Sequence, residues 1–110
     1  MQRSLSHDIA EALAALVQRI VEAVHPLRII LFGSAARGEL GPDSDVDVLV
    51  VMPEGTHRLD TAQFLHTQLH GIELSVDIIV ATPSDLARHR DNVGLIYRTI
   101  LTEGKELYAA

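Results

Sequence analysis

From Asp8 to Val24 the apolar positions Ile9, Leu13, Leu16, Val17, Ile20, Val21 and Val24 recur at steps of three and four. That period predicts a helix with one buried face. Ser6 is expected as its N-cap, and His25-Pro26 as its stop, since proline disfavours helical geometry in the residue before it. Arg28 to Phe32 is a β-branched and aromatic run that predicts a buried strand ending at Gly33-Ser34. Ser34 to Arg37 reads as the first turn of a short helix broken at Gly38, and the stretch Gly41-Pro42-Asp43-Ser44 as turns. Val46 to Met52 predicts a second strand, and Leu59 to Leu69, with Ala62, Leu65 and Leu69 in register, a second helix capped by Gly71. A third strand is expected over Glu73 to Val80. Thr82-Pro83-Ser84-Asp85 opens a further helix, and a last one runs from Asn92 to Leu101 before Gly104.

The polar residues that interrupt this pattern carry the candidate chemistry. Strand side chains alternate with period two, so Asp45 and Asp47 project from one face. Two same-face carboxylates at the end of a core strand repel each other unless something cationic joins them, and hard divalent cations suit such oxygens. Magnesium is the expected ion. Asp77 stands alone in an otherwise apolar strand, and the chain between it and Asp47 has room for the helix and turns that bring it alongside. Gly33 allows close backbone approach, and the amides that open the following turn make an anion site for triphosphate oxygens. Ser34 adds a hydroxyl, and Arg37, one turn later, a bidentate fork for phosphate. Asp45, Asp47 and Asp77 are therefore the expected metal ligands. Two ions so held would orient a triphosphate for in-line displacement, with Asp77 placed to accept a proton.

Composition narrows the classes. A chain of 110 residues is read as one domain over residues 1–110. Its net charge of −6 argues against an extended grip on nucleic acid, which relies on many cationic contacts. It suits a basic protein partner instead. Without cysteine there are no disulfides and no thiolate metal sites. No apolar run reaches membrane-spanning length and no secretory signal opens the chain, so the cytoplasm is expected. A small core also makes homo- or hetero-oligomerisation an expectation.

Gly33-Ser34, ten residues, then Asp45-Val46-Asp47 resembles the minimal nucleotidyltransferases of the polymerase-beta superfamily. The resemblance extends to Arg37-Gly38, to Ser44 before Asp45, to the preceding helix and strand, to Asp77, and to the ending Glu103-Gly104-Lys105-Glu106-Leu107-Tyr108. It implies an α/β (α+β) fold with a small mixed sheet and helices on one side. It also implies ATP or another triphosphate as donor, two magnesium ions, and Gly33, Ser34, Arg37 and Ser44 at the nucleotide. Members of this length resemble the antitoxins of HEPN/MNT toxin–antitoxin pairs, which transfer AMP to a tyrosine of a HEPN-type ribonuclease toxin. Protein adenylylation is then the leading expectation. An antitoxin acting by occlusion, and a small-molecule transferase of the aminoglycoside type needing a partner subunit, stand as alternatives.

Blander readings compete at each position. Gly33-Ser34 alone is an ordinary strand-to-helix turn with a serine cap, and only its spacing to Asp45 sets it apart. Arg37 could pair with Glu39 or Asp43 at the surface, and Asp77 could be a solvated strand residue. His66 and His70 have the spacing of a zinc pair but lack further ligands, so they read as surface residues.

Overall fold

The structure is a computed structural model that describes residues 2–38, 45–72, 74–88 and 95–110. Helices α1 (Gln2–Val24), α2 (Arg58–Gln68), α3 (Pro83–Arg88) and α4 (Leu95–Glu103) flank strands β1 (Arg28–Phe32), β2 (Asp45–Val51), β3 (Ser75–Ala81) and β4 (Lys105–Ala109). The sheet order is β3-β2-β1-β4. β1 is antiparallel to both β2 and β4, whereas β2 and β3 run parallel, so the sheet is mixed as expected.

β2 dictates the layering. From Val48 to Met52 every side chain is buried, so both faces of the strand need cover. On one face Val46, Val48 and Val50 meet Leu16 and Ile20 of α1 and Leu65 of α2. On the other, Leu49 and Val51 join Ile30, Ala81 and Ile100 of α4, with Leu86 of α3 and Tyr97 packed alongside. Helices therefore lie on both faces, which corrects the one-sided arrangement implied by the resemblance. Gly104 lets the end of α4 close on β1: a Cβ there would collide with the Ile100 carbonyl and with Ile30 and Leu31.

Three further boundaries differ from the sequence reading. α1 begins at Gln2, so Ser6 lies inside it rather than capping it; no glycine or proline between them stops the helix. Its C-terminal end is as expected, with His25 in a left-handed conformation (φ 49°) before Pro26. The turn after β1 is a 3₁₀ turn, Gly33–Ala35, not an α-helical one. β4 was not foreseen at all, since only five residues form it and its register shifts between Ile29 and Ile30 of β1. The turn expected at residues 41–44, and residues 92–94 of the expected last helix, fall outside the described residues.

Two local networks fix the helices that carry the sheet. Arg19 of α1 donates to the carbonyls of Gln68 and His70, each at 2.9 Å, occupying acceptors that the end of α2 leaves unpaired. Thr82 and Asp85 form the reciprocal cap of α3: Asp85 accepts from the Thr82 N–H and hydroxyl at 2.9 Å, and its own N–H reaches Thr82 Oγ1 at 3.3 Å. Burial opposes ionisation of Asp85, yet those bonds from Thr82, with Arg58 and Arg88 nearby, hold its carboxyl below the usual range.

Candidate active site

Strand alternation places Asp45 and Asp47 on the face of β2 that carries Leu49 and Val51, the face covered by α4. Parallel pairing then sets Asp77 directly beside Asp47, and Ser75 beside Asp45. Antiparallel pairing sets Phe32 opposite Asp47 on the other flank, so the chain leaves β1 into Gly33 at the level of the acids. Asp45 and Asp77 are exposed and Asp47 half-buried.

Gly33 is where the two devices touch. Its φ of +75° is a left-handed conformation, and a Cβ at this position would stand 2.5 Å from Asp47 Oδ2. Only glycine admits that approach. Beyond it the N–H groups of Ala36, Arg37 and Gly38 bond to the carbonyls of Gly33, Ser34 and Ala35, each at 3.1 Å. The amides that open such a turn have no partner within it and face outward with partial positive charge. Ser34 and Arg37, three apart on a 3₁₀ turn, fall on one side of it. Ser34 is half-buried, whereas Arg37 is exposed. Ser44, and the Glu39 and Asp43 that competed for Arg37, lie outside the described residues.

The acids are crowded. Burial, the charges of Asp77 and Asp45, and a hydrogen bond with the Asp77 carboxyl all push Asp47 above the usual carboxylate range. Hard oxygens held at such like-charge cost are the donor chemistry of a divalent-cation site, whose charge would reverse the penalty. The described residues do not gather three His, Cys, Asp or Glu side chains into a ready cage. What they gather is the Asp47–Asp77 pair, with Asp45 two residues along β2, roughly 6.6 Å away by strand rise.

A small cavity of about 130 Å³ lies behind Gly33 and Arg37, against Thr99, Glu103 and Gly104. It is below the roughly 300 Å³ at which ligand pockets begin, too small to enclose a nucleotide. Thr99 and Glu103 were given no role at the site from sequence; Glu103 entered only as the start of the ending that carries the resemblance, and no motif marks Thr99. His66 and His70 are exposed, in line with the surface reading. His57 acquires an unforeseen role as the α2 cap, its Nδ1 accepting from the Asp60 N–H at 3.3 Å. No helix among the described residues is long and apolar enough to cross a membrane.

An α/β fold that holds an anion-accepting turn against crowded carboxylates defines a class of proteins that handle phosphoryl groups. The nucleotidyltransferase domain family matches residues 11–105, and the chain belongs to it and is a nucleotidyltransferase. No curated protein matches the chain. Among solved structures it is similar to a candidate nucleotidyltransferase from Sulfolobus solfataricus, with 19% identity, a TM-score of 0.64, and coverage of 96% of this chain and 86% of that one. It is also similar to a toxin–antitoxin protein crystallised with AMP-PNP, at 23% identity and TM-score 0.57 over 87% of this chain and 73% of that chain. A mutant of the toxin–antitoxin pair MntA-HpeT with two aspartate-to-glutamate substitutions matches at 20% identity and TM-score 0.53, over 86% and 70%. The fold is that of the polymerase-beta-like nucleotidyltransferases.

Proposed function

We propose that the protein transfers AMP from ATP to a hydroxyl of a partner protein, and that the partner is a HEPN-type ribonuclease toxin which this chain neutralises. The observation that carries the reading is the contact of Gly33 with Asp47 while Asp47 pairs with Asp77, because it sets an anion-binding turn beside a carboxylate cluster. The likeness to a toxin–antitoxin protein crystallised with AMP-PNP supports an adenine nucleotide as ligand and a toxin as partner.

In this reading the amides after Gly33, the Ser34 hydroxyl and the Arg37 guanidinium hold the β- and γ-phosphates. Asp45 and Asp47, joined by Asp77, hold magnesium, which supplies charge neutralisation at the phosphates and relieves the repulsion among the three acids. The acceptor oxygen bonds to the α-phosphorus, the bond from that phosphorus to pyrophosphate breaks, and the hydroxyl proton passes to Asp77. The acid cluster and the turn lie at one end of the sheet, so the arrangement needs only a side-chain reorientation that brings Asp45 to the Asp47–Asp77 pair.

The test is transfer of label from α-labelled ATP, with magnesium, to the co-expressed partner, beside the Asp45→Asn, Asp47→Asn double variant. Label on the partner that vanishes in the variant supports the enzyme. Complex formation and neutralisation with no label would instead establish an antitoxin that works by occlusion.

A further inference from the structure

The sheet order separates the two sides of the reaction. The phosphate-binding turn follows β1, Asp45 and Asp47 lie on β2, and Asp77 lies on β3. In an in-line displacement the attacking and leaving oxygens stand on opposite sides of the phosphorus. With pyrophosphate held on the β1 side, the acceptor must arrive from the β3 side. That side is an open edge: among the described residues β3 pairs only with β2.

The edge is not bare. A groove of about 650 Å³ runs along it, lined by Ile78, Ile79 and Val80 of β3, Leu59 and Ala62 of α2, and Tyr97 of α4. Ile78 and Ile79 point to opposite faces of the sheet, so a groove lined by both wraps around the edge itself. Leu59, on its rim, is 63% exposed. Edge strands are commonly blunted by charges, prolines or bulges, and Ile78 to Val80 has none of these. Alternate residues of an edge strand direct N–H and C=O groups outward, where another backbone can pair with them.

We infer that this groove docks an extended peptide segment of the acceptor protein, which adds to the sheet beside β3 and carries its hydroxyl side chain on the face of Asp77. The inference rests on the catalytic reading above, because that reading fixes the side from which the acceptor comes. The occupant is a peptide because the edge offers main-chain groups flanked by apolar side chains. A polynucleotide would need cations, and of the two basic residues in the lining, His57 and Arg58, the latter already lies 3.6 Å from Asp85. Apolar side chains at alternate positions of the segment suit the lining, with the hydroxyl residue placed toward the start of β3.

The test uses the full ¹⁵N-labelled chain without nucleotide, titrated with a synthetic pool of tyrosine-centred nonapeptides randomised at the flanking positions. A second pool is N-methylated at alternate backbone amides, which removes strand pairing and keeps the side chains. The expected result is amide shifts at Ile78, Ile79 and Val80 with the first pool and at least tenfold weaker binding of the second. Ile79→Lys is expected to weaken binding as much while leaving the far-ultraviolet circular dichroism unchanged. Equal binding of both pools, shifts confined to other elements, or no shift at millimolar peptide would overturn the inference. So would broadening of the β3 amides with protein concentration alone, which would give the edge to a second copy of the chain. Because this readout needs no transfer, loss of the docking leaves the AMP-transfer assay standing, and failure of that assay leaves the β3 shifts to be read on their own.

Discussion

Replacing Asp47 by asparagine should make the metal-free protein more stable and the enzyme inactive. Asp77 sits beside Asp47 on the neighbouring parallel strand, and Asp45 two residues along the same strand. Strand spacing puts the first charge roughly 4.8 Å away and the second roughly 6.6 Å away. Both neighbours are exposed, so the dielectric constant of water is the right one to use: the repulsions come to about 0.9 and about 0.6 kcal/mol. Asparagine keeps the shape and can still donate a hydrogen bond to Asp77, so the charge is the main thing lost. The expected gain is about 1.5 kcal/mol at low salt, or about 6 °C in Tm for a chain of this size.

Salt and pH give the gain a signature. In about 1 M salt, where screening acts within roughly 3 Å, most of it should disappear. Asp47 is a carboxyl raised above its ordinary 3.8, so its ionised form costs stability above the folded-state value and the cost is relieved as pH falls through it. The advantage of Asp47→Asn should therefore be present where Asp47 is ionised and fade as the pH falls through its raised folded-state value. Transfer should fall at least about 100-fold, since losing one cation ligand forfeits several kcal/mol of charge stabilisation. Thermal melts in chelator at two salt concentrations, with the transfer assay alongside, read all of this. A variant less stable than wild type in chelator, or a gain that ignores salt, would show that the acids are structural partners and not a strained site.

Gly33→Ala forces a left-handed residue and a Cβ into Asp47 Oδ2; it should cost about 1 to 2 kcal/mol by urea denaturation and abolish transfer, and unchanged activity would remove Gly33 from the site. Asp85→Ala strips α3 of its cap and should cost about 1 kcal/mol at pH 7. Because the Asp85 carboxyl is held below its ordinary 3.8, its stabilisation is present above that value and lost as pH falls through the lowered folded-state value, so the gap between variant and wild type should narrow in urea melts as the pH is taken down below 3.8. His25→Gly relieves a left-handed histidine at φ 49° and should raise stability by about 0.5 kcal/mol net of the added freedom of the unfolded chain, measured in the same denaturation series.

The parts of this molecule legible in the sequence are those where chemistry and periodicity agree. The buried stripe of α1 could be read because Leu16 and Ile20 repeat at helical spacing, and the same-face placement of Asp45 and Asp47 because a strand leaves no other geometry. The pairing of Asp77 with Asp47 was anticipated as proximity, but the parallel register that makes them direct neighbours is a property of the assembled sheet. β4 escaped because five residues mixing Lys105 and Glu106 with Leu107 and Tyr108 show no clean alternation; what secures it is non-local, including the 2.6 Å pair between Arg28 and Glu106. The second helical layer was hidden for a similar reason. Only the complete burial of β2, a consequence of packing, demands cover on both faces.

The mixed sheet is itself what makes a compact site possible. Two parallel strands bring their N-terminal ends to the same end of the sheet, so Asp45, Asp47 and Asp77, all near strand starts, share that end. An antiparallel neighbour brings its C-terminal end there, and with it the turn at Gly33. Were β1 parallel to β2, Gly33 would lie at the far end of a seven-residue strand, roughly 13 Å from Asp47 and roughly 20 Å from Asp45 by strand rise. Were β3 antiparallel, Asp77 could still face Asp47, but its strand would enter the acid end from the opposite pole and the connection through α2 would no longer be a crossover. The observed topology satisfies both conditions and leaves β3 at the edge, with its outer flank free of any described strand. The crowding of acids on the inner flank of β3 and the open outer flank, to which the proposed reaction assigns the acceptor, thus follow from the same arrangement of strands.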